Sequence, residues 1–108
     1  MGNLGKKKIL VLGRRDHTEA MRVAAGLTVA GHEIRLVFMT KPVEETAENK
    51  MQAELLDLSD IVPETTVSSM ANDLSFLDAK DLADAFFCSD SIINFLHHIF
   101  FTNQFFII

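Results

Sequence analysis

The 108-residue chain has no tryptophan, no tyrosine, two prolines and a single cysteine. One cysteine, Cys88, excludes an intramolecular disulfide and a cysteine-cluster zinc site. Five glycines and two prolines are too few for a collagenous or low-complexity chain. No apolar run approaches the roughly 20 residues that a membrane-spanning helix needs, so no transmembrane segment is expected. Lys6, Lys7 and Lys8 precede only a short apolar run, so no secretory leader is expected. Lys6 also stands where an N-myristoylation signal wants Ser or Thr, which makes the cytoplasm the expected location.

What is present fits one globular domain: 48% of residues are hydrophobic and 23% charged, enough of each for a core and a solvated surface. The net charge of -5 is unevenly placed, with residues 1–41 at +5 and residues 42–108 at -10. The basic residues sit mostly beside an apolar run and make a weak nucleic-acid footprint, so no nucleic-acid partner is expected. Opposite charge on the two halves favours self-association. The nine aromatic residues are all phenylalanine, and Phe95, Phe100, Phe101, Phe105 and Phe106 crowd into the last fourteen positions.

Along the chain, hydrophobic patterning alternates between strand and helix. Ile9, Leu10, Val11 and Leu12 form a continuous apolar run ending at Gly13, as a strand buried on both faces requires. Asp16 or Thr18 then caps a helix whose Ala20, Val23, Ala24 and Leu27 make one stripe, and Gly31 stops it. Residues 33–39 read as a second strand, with Ile34, Val37 and Phe38 inward, broken at Pro42. Residues 44–58 read as a second helix, with Ala47, Met51, Leu55 and Leu58 as its core face. Short strands are expected at 65–69 and 74–77. Asp78 caps a third helix through Phe87, with Leu82, Ala85 and Phe86 inward, and residues 91–95 form a last strand. This order implies a three-layer α/β domain, with a mainly parallel sheet of about five strands and helices on both faces.

Three stretches resemble the DsrE-like family of small α/β proteins. They are Lys8 to Leu12 leading to an Ala/Leu-rich helix, Ala30-Gly31-His32-Glu33-Ile34 turning into a strand, and Leu82-Ala83-Asp84 through Ser91-Ile92-Ile93-Asn94-Phe95. The resemblance spans about residues 7–95. It implies a flavodoxin-like sheet, assembly into dimers, trimers or hexamers, and a protein partner in intracellular sulfur relay. Sulfur-carrying members keep a reactive cysteine in a mid-chain loop. The matching residues 62–72 hold Ser68, Ser69 and Met70 instead, and serine cannot carry a persulfide. A non-catalytic oligomeric subunit or partner-binding protein is therefore the leading expectation. The alternatives are a sulfurtransferase using Cys88 and a small-anion or nucleotide-binding module.

The anion-binding alternative rests on Gly13, Arg14, Arg15, His17 and Thr18, a loop at the carboxyl end of a strand and the start of a helix, with Lys41 expected at the same sheet edge. One glycine is too few for a Walker loop or a dinucleotide fingerprint, and no cofactor is expected. His17 is a candidate acid/base without an identifiable partner. His17, His32, His97 and His98 show no ligand spacing, so no metal is expected. Cys88, with Asp90 as its nearest charge, reads as a quiet, partly buried thiol. Residues 1–95 make the domain, and residues 96–108 an apolar tail whose Phe100, Phe101, Phe105 and Phe106 are expected to form an interface between subunits.

Overall fold

A computed structural model describes residues 6–95 and the strand Phe106–Ile107. The elements are β1 (Lys8–Gly13), α1 (His17–Val29), β2 (Glu33–Phe38), α2 (Ala47–Leu58), β3 (Glu64–Thr65), a 3₁₀ turn (Ser68–Met70), β4 (Ser75–Phe76), α3 (Ala79–Phe87), β5 (Ser91–Phe95) and β6 (Phe106–Ile107). The sheet order is β4-β3-β2-β1-β5-β6. β1 to β5 are mutually parallel, and β6 runs antiparallel to β5.

The layering follows from handedness. α1 and α2 carry the chain from β1 to β2 to β3 in one direction, whereas α3 carries it from β4 back past β1 to β5. Right-handed crossovers running in opposite directions place their helices on opposite faces. The result is the flavodoxin-like three-layer α/β domain expected from the sequence, with α1 and α2 on one face and α3 on the other.

Alternation along the strands feeds both faces. Ile9, Val11, Leu36, Phe38, Ile93 and Phe95 pack with Ala20, Met21, Ala24 and Leu56. Leu10, Leu12, Val37 and Ile92 pack with Leu77 and with Ala85 of α3. This is why β1 shows no polar alternation: both of its sides are core. Gly13, the last residue of β1, sits at a close approach of neighbouring side chains. A Cβ there would lie 3.1 Å from the Ala20 Cβ and 3.3 Å from Phe38 Cδ1.

Asp16 caps α1, its carboxylate accepting from the Glu19 N–H at 3.1 Å. At the other end Gly31 N donates to Thr28 O and His32 N to Leu27 O, a Schellman closure in which Gly31 takes φ 98°. α2 ends the same way, with Asp60 N on Asp57 O and Ile61 N on Leu56 O, but here Asp60 takes the left-handed conformation at φ 60°.

Several sequence expectations are corrected. α2 begins at Ala47 rather than at 44, because the Thr46 hydroxyl caps it by accepting from Asn49 N at 3.0 Å. Its expected core face is turned outward: Met51 is 64% exposed, Leu55 45% and Leu58 82%, while Asn49 and Leu56 are the buried positions. The expected strand at 65–69 is only Glu64–Thr65. The Thr65 hydroxyl donates to Phe38 O and accepts from Val67 N, turning the chain out of the sheet. The strand at 74–77 shortens to Ser75–Phe76. Phe86 is only partly covered, at 38% exposed, because the short α3 seats only Ala85 fully against the sheet.

Candidate functional site

At the carboxyl ends of the strands the β1–α1 and β2–α2 connections stand side by side, on the edge where open α/β sheets bind their ligands. An open cleft of ≈ 430 Å³ lies there, lined by Arg15, Asp16, His17, Thr18, Lys41, Glu44, Thr46, Glu48 and Asn49. Four of the six residues expected for a ligand site thus converge: Arg15, His17, Thr18 and Lys41. Gly13 lies beneath them as a packing position. Arg14 is exposed outside the cleft lining. The backbone N–H groups of Arg14 and Arg15 both donate to Phe95 O, at 3.2 and 3.1 Å, which fastens the loop to the end of β5.

His17 is the first residue of α1 and is buried. Its Nε2 donates to the Met39 carbonyl at 3.1 Å, and its ring meets the Phe38 ring edge-on, with centroids 5.3 Å apart. Burial, reinforced by the nearby positive charge of Lys41, outweighs the carbonyl contacts and holds the imidazole below its ordinary pKa. The imidazole bridges the ends of β1 and β2.

The far wall belongs to α2, and sequence reasoning missed it. Asn49 Nδ2 donates to Glu44 O at 2.8 Å, and its Oδ1 accepts from the Thr18 hydroxyl at 2.5 Å. The available signal was Thr46 three residues before Asn49, a capping spacing that the apolar stripe obscured. Lys41 Nζ lies 3.6 Å from Glu44 Oε1.

Charge decides what this cleft suits. Arg15 and Lys41 face Asp16, Glu44 and Glu48, so carboxylates outnumber cations. Both helix N-termini are already capped, by Asp16 and Thr46. A multiply charged anion would meet net repulsion and no free cap, which weighs against the anion reading.

Cys88 lies at the opposite edge of the sheet. α3 runs antiparallel to the strands, so its C-cap, Cys88, comes out beside their amino ends. The thiol is exposed, a correction to the partly buried position expected. It borders a small cleft of ≈ 190 Å³ with Lys8, Ile9, Glu33, Arg35 and Ser89. Arg35 makes two 2.9 Å hydrogen bonds to the Glu64 carboxylate. Asp90 accepts from the Lys8 backbone N–H at 2.8 Å. The mid-chain Ser68 and Ser69 are exposed in the 3₁₀ turn, across the sheet from this thiol.

Of the expected interface residues, Phe100, Phe101 and Phe105 lie outside the described residues, as do His97 and His98. Phe106 begins β6, where the end of the tail joins its own sheet through Ile93↔Ile107 and Asn94↔Phe106. Among the described residues no group of three His, Cys, Asp or Glu side chains is placed to hold a metal ion. Among them, too, no helix is long and apolar enough to cross a membrane. No family model, curated protein or solved structure matches the chain.

Proposed function

We propose that this protein is a non-catalytic, partner-binding α/β subunit that works in the cytoplasm. The DsrE-like resemblance supplies sulfur relay as its setting. The observation that carries the reading is the state of the carboxyl-edge cleft. Its one histidine, His17, is buried and committed to the Met39 carbonyl, and no thiol lies among the cleft's lining residues. Ser68 and Ser69 stand where sulfur-carrying members have their cysteine, and a hydroxyl cannot hold sulfane sulfur.

A second reading takes Cys88 as a sulfur acceptor. Its exposure, and the cations Lys8 and Arg35 around its cleft, favour that reading. One experiment separates the two: the full chain is treated with inorganic polysulfide, its intact mass is measured, and an acceptor thiol is added. The subunit reading expects no sulfur passed on from Cys88. A persulfide on Cys88 that transfers to the acceptor overturns it in favour of the sulfurtransferase.

A further inference from the structure

We infer that the outer surface of the α1–α2 layer is a docking groove for a helix of a protein partner whose apolar stripe is flanked by lysine or arginine. The inference rests on the partner-binding reading and names the surface and the chemistry of the partner.

Both helices return from the carboxyl edge to the amino edge of a parallel sheet, so they run side by side in one direction. The Thr18–Asn49 hydrogen bond joins their first turns and sets them level. At about 1.5 Å rise per residue, Gly26 of α1 then lies opposite the turn from Leu55 to Leu58 of α2. Around that level both helices present apolar side chains to solvent: Met51, Leu55 and Leu58 from α2, and Val29 from α1, which is 84% exposed. Large apolar residues gathered on one face, rather than scattered singly, mark an interaction surface.

Gly26 supplies an independent observation. It sits in the interior of α1, is exposed, and a Cβ there would meet nothing within 4 Å. Its φ is not in the left-handed region, so neither the backbone nor the packing of this chain calls for glycine. Glycine in a helix interior is nonetheless unfavourable relative to alanine. A second helix backbone lying close in the groove is what a missing side chain admits.

Charge selects the occupant. Glu48, Glu54, Asp57 and Asp60 are exposed along α2 and its end, against Lys50 alone. Arg22 of α1 is neutralised by Glu19 through its Nε and Nη2 contacts. A second copy of the chain placed face to face on a two-fold axis would set these acids against themselves. A helix with a basic rim complements them, in the helix-in-groove mode read by apolar anchors at i, i+3 or i+4, and i+7.

The test uses the full chain and two synthetic helical peptides of about five turns, identical except that one carries Leu and Lys and the other Leu and Glu. Titration is followed by calorimetry. The Leu/Lys peptide is expected to bind and the Leu/Glu peptide not to. Gly26→Leu, which the open space around Gly26 accommodates, should weaken Leu/Lys binding by about tenfold or more, with Tm retained. The pair Glu54→Lys and Asp57→Lys should do the same. Binding unchanged by Gly26→Leu overturns the inference, as does absence of Leu/Lys binding. Self-association of the native chain that Gly26→Leu abolishes also overturns it, by assigning the face to a second copy. None of these outcomes touches the polysulfide result, so a failed groove and a failed subunit reading remain distinguishable.

Discussion

The His17 imidazole and the Met39 carbonyl, 3.1 Å apart, tie the start of α1 to the end of β2. The bond is made by a neutral ring whose pKa is lowered chiefly by burial. A histidine whose folded pKa lies below the unfolded value of 6.5 binds a proton more readily in the unfolded chain. Its stabilising contribution is therefore complete above that value and is lost as pH falls through it towards the folded pKa. Urea unfolding of the native chain between neutral and mildly acidic pH should show stability falling with pH. His17→Gln keeps an N–H donor but cannot titrate there, so its fall should be shallower. An identical pH slope in the variant would remove His17 from this role.

Asn49 should be costly to truncate although it is polar. It is buried, and its amide serves both the Glu44 carbonyl and the Thr18 hydroxyl. Asn49→Ala leaves both groups without that partner, at a cost of about 1–3 kcal/mol. Asn49→Asp keeps the acceptor for Thr18 and loses the donor to Glu44. Denaturant midpoints at constant slope should rank native first, with both variants well below it.

The two Schellman closures make opposite predictions from the same geometry. Gly31 at φ 98° accepts no side chain without strain, so Gly31→Ala should destabilise by about 1–2 kcal/mol. Asp60 at φ 60° already carries that strain, so Asp60→Gly should raise Tm. A lowered Tm for Asp60→Gly would show that its carboxylate contributes more than the conformation costs.

Arg35 and Glu64 join β2 to β3 through a two-pronged pair that raises the guanidinium pKa, mainly by hydrogen bonding to the carboxylate. The arginine is 42% exposed, so solvent screens much of the attraction. A double-mutant cycle with Arg35→Met and Glu64→Gln should return a coupling of about 1 kcal/mol or less. A larger value would mean that the pair acts as a buried one.

The framework was legible in the sequence where apolar pattern and punctuation agreed. β1 has an unbroken apolar run ending at a tightly packed glycine, and α1 has one stripe between Asp16 and Gly31. In α2 the apolar spacing points to Ala47, Met51, Leu55 and Leu58. The opposite face, with Asn49 and Leu56, went inward because the Asn49 amide finds partners there, and a polar residue satisfied by tertiary contacts leaves no periodic trace. Arg15, His17, Thr18 and Lys41 were placed together correctly, since strand ends dictate that edge. Glu44 and Glu48, which share the cleft, were unreadable as its wall, because their position depends on where α2 starts, and Thr46 sets that start.

The sheet order has a consequence for how molecules of this protein can meet. At one margin β6 pairs with Ile93 and Asn94 of β5, and at the other β4 presents only Ser75 and Phe76. A continuous ribbon needs a long open strand on each side to propagate. Among the described residues each margin of the sheet ends in a strand of two residues, β6 and β4, so neither offers a long edge for lateral polymerisation. Contact between molecules is thereby directed to helices and side chains, where sequence can discriminate one neighbour from another.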